Sequence, residues 1–220
     1  MKAAAKAYKG APMEGMVASW YAKSTARSMS AYTSDARRAA ALLTPGARVL
    51  EVAPGPGYFG IELARMGDFD ITGLDISRSF VEMAQGNAAR AGVRVEFRLG
   101  SASEIPFQNG QFDFLFCRAA FKNFSEPQRA LQEMCRVLRP GGRAWIIDLR
   151  RNASLASINQ EVARMGLGLF SAWLTRLAFR YSLLKRAYNK PEFERLLAQT
   201  EFGHFMVEEQ GIGLDIWLTK

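Results

Sequence analysis

Residues 49–60 read VLEVAPGPGYFG, an apolar run followed directly by a turn rich in glycine and proline. A short apolar run that ends in turn residues predicts a buried strand. Gly55, Gly57 and Gly60 have the G-x-G-x-x-G spacing of dinucleotide-binding turns, and Asp75 follows at the expected distance of about 20 residues. Glycine suits such a turn because it adopts positive φ cheaply and lets a ligand approach the backbone. The stretch predicts the start of a nucleotide-binding α/β fold.

Strands and helices continue to alternate after this turn. We predict helices at 58–66, 78–91, 125–139 and 191–199, and strands at 49–52, 71–75, 93–99, 112–117, 144–149, 205–208 and 213–219. Ser125 is the expected N-cap of the third helix, with Gln128 at capping-box spacing. Helical crossovers between parallel strands cover both faces of a sheet. We therefore expect the α/β class: a Rossmann-like, doubly wound, mostly parallel seven-stranded sheet with an antiparallel C-terminal strand and a helical cap.

The flanking segments are arranged around this core. A chain of 220 residues suits one domain better than two independent cores. Helical spacing at 13–28 and 32–43 predicts an N-terminal lid over 1–45, before a cofactor-binding core over 46–149. No strand pattern appears between 152 and 188, which predicts a helical cap inserted at 150–190. The C-terminal helix and β-hairpin occupy 191–220.

The positive charge of the chain lies outside the predicted core. Residues 1–48 carry eight Lys/Arg against Glu14 and Asp35, and residues 150–190 carry eight against Glu161. Because the whole chain has a net charge of +8, the remaining residues are net acidic. An anionic lipid surface, an acidic substrate or nucleic acid would suit these basic flanks, although a solvated helix face is the commoner explanation. Nucleic acid is the least favoured partner because no recognition domain is appended.

The sequence has no clear targeting signal and no clear metal-binding pattern. The N-terminus lacks the apolar stretch of a secretory signal, and the run at 165–175 is shorter than the roughly 20 residues that span a bilayer. Cys117 and Cys135 are not spaced as a metal or redox pair. We expect a cytoplasmic protein without a metal site.

Two stretches carry a family resemblance. Glu51 lies four positions before Gly55, where a bare dinucleotide site has no use for a carboxylate. A second stretch runs from FDF at 112–114 to RVLRPGGR at 136–143. Together they resemble the class I S-adenosylmethionine-dependent methyltransferases, of the type 11-like kind, over about residues 47–149. Ala53 departs from the family at the position of a frequent glycine. The resemblance disfavours a nicotinamide-dependent oxidoreductase, which the glycine spacing alone would allow.

The resemblance also implies a binding site for S-adenosylmethionine. It places Glu51 near the amino group of the methionine part and Asp75 at the ribose hydroxyls, to which a carboxylate offers two acceptor oxygens. Ser101 takes the place of the aspartate that usually holds the adenine amine. The complete set of implied cofactor residues is Glu51, Ala53, Gly55, Gly57, Tyr58, Asp75, Ile76, Ser101, Ala102 and Cys117.

Residues after the fourth strand are the candidates for catalysis. Lys122-Asn123 is locally similar to the Arg-Asn of the ubiquinone and menaquinone C-methyltransferases. Lys122 or Arg118 could stabilise an anionic acceptor, which lowers the need for a base; both side chains could equally be solvated. We interpret His204 as structural because it lies away from the carboxyl ends of the strands, where ligands bind in such sheets.

Aromatic residues in the lid and cap, together with two residues after the fourth strand, are the candidates for acceptor binding. The proposed substrate contacts are Trp20, Tyr21, Phe121, Asn123, Phe170 and Trp173. Because binding pockets are mostly apolar, an aromatic cap indicates a hydrophobic or planar acceptor. The basic and aromatic stretch at 163–188 could also lie on an anionic membrane surface, or pack as core or as a dimer face.

The function predicted from these patterns is methyl transfer from S-adenosylmethionine to a small, hydrophobic or planar acceptor. One alternative is a quinone-type or lipid methyltransferase that works at a membrane surface. Another is a protein that binds S-adenosylmethionine without catalysis, because no general base is evident. The sequence does not indicate which atom would receive the methyl group.

Overall fold

A computed structural model describes Lys9, residues 13–25 and residues 29–220, apart from the side chains of Lys23 and Ser24. The helix positions predicted at 26–28 lie outside these residues. The strands are β1 (Arg48–Val52), β2 (Asp70–Asp75), β3 (Glu96–Leu99), β4 (Phe112–Arg118), β5 (Leu138–Leu149), β6 (His204–Gln210) and β7 (Gly213–Thr219). The helices are α1 (Gly15–Thr25), α2 (Met29–Ala40), α3 (Tyr58–Ala64), α4 (Arg78–Ala91), α5 (Pro127–Val137), α6 (Leu155–Arg164), α7 (Leu169–Ala178) and α8 (Lys190–Leu197). Short helical turns cover Phe121–Asn123, Phe179–Leu183 and Leu184–Arg186.

In the described part of the chain, seven strands form one sheet in the order β3-β2-β1-β4-β5-β7-β6. β1 to β5 pair in parallel, and β7 lies antiparallel between β5 and β6. The predicted mostly parallel sheet with an antiparallel C-terminal strand is confirmed. The chain builds outward from β1 to β3 on one side and from β4 on the other. The carboxyl ends of β1 and β4 therefore border a crevice, which is where open α/β sheets bind ligands.

Helices cover both faces of the sheet. The side chains of β1 alternate between these two faces and pack against the helices on each. Val49 packs in a cluster with Ala36 of α2 and Phe59 of α3. Leu50 points to the other face, into a cluster that includes Met134 of α5 and Phe193 of α8. This packing confirms the doubly wound arrangement and brings α2 and α3 to one side of the crevice.

Two local predictions around α5 are wrong. Ser125 is not the N-cap, because Glu126 holds that position and no side-chain hydrogen bond caps the helix. β5 begins at Leu138, directly after α5, rather than at 144. Leu138 is fully buried and pairs with Phe112 across a register shift, so the turn residues 139–142 lie within an irregular strand.

The segment after β5 is helical, as predicted. α6, α7 and the turns up to residue 186 enclose a small apolar cluster of Ile158, Val162, Ala172, Phe179 and Leu184. Within the described ranges, no helix combines the length and the apolar character needed to cross a bilayer.

Candidate functional site

A cavity of about 590 Å³ opens at the carboxyl ends of β1, β2 and β4. The turn after β1, the end of β2 and residues 100–103 after β3 form one side of it. α1 and residues of the 182–186 segment contribute to its wall as well. This size lies in the range of about 300–1,000 Å³ that is typical of small-molecule sites.

The turn after β1 has a backbone conformation and close packing that favour glycine. Gly55 has a φ of +55°, and a Cβ at this position would contact only Tyr21, at 4.0 Å. Ala53 has a φ of 57°, which is unfavourable for a residue with a Cβ and explains why glycine suits this position. Gly57 has no room for a Cβ, which would lie 2.7 Å from Phe97. Gly57 therefore allows the start of α3 to pack closely and does not line the cavity.

Two buried carboxyl groups face the cavity near this turn. Glu51 is 3% exposed, and its Oε2 accepts a hydrogen bond from the Gly60 N–H at 3.0 Å. Asp75 accepts from the Gly55 N–H and the Ser77 N–H, both at 2.9 Å. Burial raises the pKa of Glu51 to about 8 and the pKa of Asp75 to about 6, because the charged forms lose hydration. Within the described chain neither group forms an ion pair.

Lys122 lines the cavity, but its side chain is fixed by hydrogen bonds to neighbouring residues. Its Nζ donates to Asp148 Oδ1 at 3.0 Å and to the carbonyl oxygen of Ala119. Its backbone N–H donates to the other oxygen of Asp148 at 2.7 Å. Lys122 is only 7% exposed, so the alternative that this side chain is solvated is wrong. The pair fixes the loop after β4 to β5, and the lysine charge is already balanced.

Arg118 also lines the cavity as part of an ion pair. Its guanidinium pairs with Asp35 of α2 and lies 5.5 Å from the ring centre of Tyr32. Burial raises the pKa of Asp35 to about 6 in spite of the nearby Arg118 charge. The contact joins α2 to the end of β4, at the edge of the cavity.

Most of the predicted cofactor residues come together. Those that line the cavity are Glu51, Ala53, Gly55, Asp75, Ile76, Ser101 and Ala102. Cys117 lies instead in the apolar core beneath the sheet end. The Tyr58 hydroxyl donates to the carbonyl of Ala22 at 3.2 Å, so Tyr58 supports α1 rather than facing the cavity.

The predicted acceptor residues are divided between three places. Trp20, Tyr21 and Asn123 line the cavity. Phe121 is fully buried and packs on aromatic core residues instead. Phe170 and Trp173 stack on each other with ring centres 6.2 Å apart, are exposed, and are not among the lining residues.

Sequence reasoning missed other lining residues. Tyr32 of α2, Phe80 of α4 and Leu183 all contribute apolar surface to the cavity. Glu14 lines it too, and its carboxylate accepts hydrogen bonds from backbone N–H groups at the start of α4. Tyr32 begins the helical pattern predicted at 32–43, but its contact with the cavity depends on how α2 packs on α3, which periodicity does not show.

Several known proteins are similar to the part of the chain that carries this site. A family profile described as a methyltransferase domain matches residues 49–142. Demethylmenaquinone methyltransferase of Deinococcus radiodurans is 35% identical over 151 residues, which cover 67% of this chain and 57% of that protein. An O-methyltransferase of Aspergillus sclerotiorum is 35% identical over 107 residues, which cover 47% of this chain and 40% of that protein. A crystal structure of a SAM-dependent methyltransferase from Aquifex aeolicus has a TM-score of 0.63 at 21% identity and covers 80% of this chain and 84% of that one.

Residues 49–142 are similar to a methyltransferase domain. The chain spans about half the length of the curated relatives it matches. The solved structure shows the shared fold alone. The matched region carries the turn after β1 and both buried carboxyl groups, whereas α1 and the 182–186 segment lie outside it. The side of the cavity formed by the turn after β1 therefore lies within the region that resembles known methyltransferases.

Proposed function

We propose that this protein transfers the methyl group of S-adenosylmethionine to a small acceptor that is hydrophobic or planar. The observation that carries the proposal is the pair of buried carboxyl groups, Glu51 and Asp75, beside the Gly55 turn of a methyltransferase domain. Isolated buried charge is expensive in a fold unless something pairs with it. A ligand with a cationic end and hydroxyl groups would supply partners to both.

The lining residues suit the separate parts of the cofactor. Glu51 would bind the ammonium group, and Asp75 would accept hydrogen bonds from the vicinal hydroxyls of the ribose. Ile76 is an exposed apolar side chain that faces the cavity, so it would cover one face of the planar base. Ser101 would accept a hydrogen bond from the base amine. When bound, the cofactor supplies a methyl group already activated as a sulfonium.

The acceptor half of the cavity is apolar. Tyr21, Tyr32, Phe124 and Leu183 contribute to it and favour a hydrophobic or planar molecule. The work left to the protein is alignment of the nucleophile and exclusion of water. An anionic acceptor would lie near Arg118, whose charge favours the ionised form.

Among the described residues that line the cavity, no histidine is available as a base for methyl transfer. His204 is exposed at the amino end of β6, where it pairs with Thr219 at the opposite edge of the sheet. We infer that the acceptor is nucleophilic without a histidine base.

A second candidate is a quinone-type or lipid acceptor that is methylated at a membrane surface. The similarity to a protein named demethylmenaquinone methyltransferase favours it, as does Lys122-Asn123 at the cavity. A quinol ring is planar, apolar and able to ionise, which matches the acceptor half. Product analysis with a quinol and with a simple phenol as acceptors distinguishes the two candidates.

Calorimetry with S-adenosylmethionine, S-adenosylhomocysteine and NAD tests the cofactor proposal. Because Asp75 also holds two backbone N–H groups, Asp75→Asn is a milder variant than Asp75→Ala. We expect Asp75→Asn to weaken cofactor binding at least tenfold, whereas Asp70→Asn, at the exposed amino end of the same strand, leaves it unchanged. Binding of NAD alone would contradict the proposal. Tight cofactor binding without release of S-adenosylhomocysteine for any acceptor would favour the non-catalytic alternative.

A further inference from the structure

Helix α7 has its apolar side turned outward. Leu169 and Trp173 lie one turn apart, as do Phe170 and Leu174, and all four are exposed, Leu169 by 93%. The residue that α7 buries is the small Ala172. A helix on the surface of a globular protein normally turns its large apolar residues toward the core. α7 does the reverse.

Helix α1 shows the same inversion beside the cavity. Among its described side chains, Ala18 and Ala22 are buried, and these two are small and one turn apart. Met16, Val17 and Trp20 occupy the other side and are exposed, Trp20 by 70%. We call these three residues, together with the four exposed residues of α7, the outer apolar face.

The α1 part of the outer apolar face borders the mouth of the cavity. Val17 and Trp20 line the cavity while remaining exposed. Leu183 does the same from the turn that continues α7. An opening with an apolar rim on both sides would admit a lipophilic molecule more readily from an apolar phase than from water.

The charges around α7 indicate what covers this face. Residues 150–190 carry eight Lys/Arg against Glu161, and Arg164, Arg180 and Lys185 are exposed there. A second copy of this chain docked by two-fold symmetry would bring these like charges together. An anionic lipid surface would instead attract them while its acyl region accepts the aromatic side chains.

We infer that the outer apolar face docks on an anionic lipid bilayer, so that the cavity opens toward the membrane and takes its acceptor from there. The lipophilic acceptor rests on the proposed function; the docking itself does not. The bilayer contact includes α1 as well as the 163–188 stretch. Such docking shortens the path of a poorly soluble acceptor to the cavity.

Cosedimentation with vesicles tests the docking. We expect the protein to sediment with phosphatidylcholine vesicles that contain phosphatidylglycerol, and far less with phosphatidylcholine alone or at high salt. Phe170→Ser/Trp173→Ser should weaken this binding by roughly tenfold or more, since two aromatic side chains lose their apolar contact. Arg180→Gln/Lys185→Gln should weaken binding only to the anionic vesicles.

Matched variants elsewhere on the surface provide the controls. Met206→Ser replaces an exposed apolar residue of β6, and Arg143→Gln replaces an exposed arginine of β5. Both should sediment like the unaltered protein. All variants should keep their circular dichroism spectra, because the replaced side chains are exposed.

Three results would overturn the inference: no sedimentation with anionic vesicles, equal losses in the control variants, or a dimer that Phe170→Ser/Trp173→Ser converts to a monomer. Calorimetry with S-adenosylhomocysteine on the same preparations separates this inference from the proposed function. Cofactor binding without vesicle binding refutes only the docking. Vesicle binding without cofactor binding refutes only the methyl transfer.

Discussion

The affinity for S-adenosylmethionine should depend on pH through Glu51. Burial raises the pKa of this carboxyl group to about 8, so roughly 10% is ionised at pH 7 and about 1% at pH 6. If the ammonium group of the cofactor binds only the carboxylate, affinity should rise about tenfold per pH unit from 6 toward 8. Above about pH 8 the cofactor loses its own ammonium proton, so affinity should then fall.

Isothermal titration calorimetry in buffers of different ionisation enthalpy measures this effect. Close to one proton should be released per cofactor bound at pH 7, and far fewer protons at pH 8. Glu51→Gln should abolish the rise between pH 6 and 8 and weaken binding at pH 8 by about 2 kcal/mol, the lower end for removing one partner of a buried charge pair. A flat profile with no proton release, in a protein that still binds the cofactor, would refute the assigned role of Glu51.

Three further predictions concern other residues. Lys122→Met leaves the buried carboxylate of Asp148 without its cationic partner and should lower the free energy of unfolding in urea by about 3–5 kcal/mol, most of which Lys122→Met/Asp148→Asn should recover; equal losses in both variants would show that the pair is not coupled. Ala53→Gly should raise the thermal stability by about 1 kcal/mol because glycine relieves the positive φ, and a lower melting temperature would contradict this. His204→Gln should leave the rate of methyl transfer unchanged, whereas a tenfold loss would place the histidine in the mechanism.

The fold was predictable because its signals are local. Each parallel strand is a short apolar run between turn residues, and the alternation with helices restricts the topology to a doubly wound sheet. The start of β5 was missed because Pro140 and Gly141 look like a break between elements. Only the pairing of Leu138 with Phe112 shows that the strand begins before them.

The side of the cavity proposed to bind the cofactor was also accessible from the sequence, because its residues lie at or just after three strand ends that a parallel sheet brings together. Glu51, Asp75 and Ser101 each come at or just after a strand, and all three line the cavity. Their binding role stays a prediction. Cys117 follows the same rule of position but points into the core, since alternation along β4 turns it away from the crevice.

The acceptor side was less accessible because it depends on how separate helices pack. An aromatic residue in an amphipathic helix can face a cavity, the core or solvent with the same spacing. Trp20 lines the cavity and Phe170 is exposed, whereas Phe121, in the short turn after β4, is buried in the core, although the sequence predicted one role for all three. Which side of α7 is buried follows from the packing of Ala172 on its neighbours, and that contact has no signature in the sequence.

The features that weaken the fold of this protein indicate where its ligands bind. Burial raises the Glu51 pKa from 4.5 to about 8, so the stabilising contribution of this group is complete below pH 4.5 and is lost as pH rises toward 8. Ala53, two residues after Glu51, adopts an unfavourable φ, and α7 exposes large apolar side chains that a core could have buried. Departures from the rules of stable folding concentrate at functional sites, since a ligand can offset their cost only there. A cation at Glu51 and a bilayer at α7 would each remove one of these costs, which is why the same structure supports both proposals.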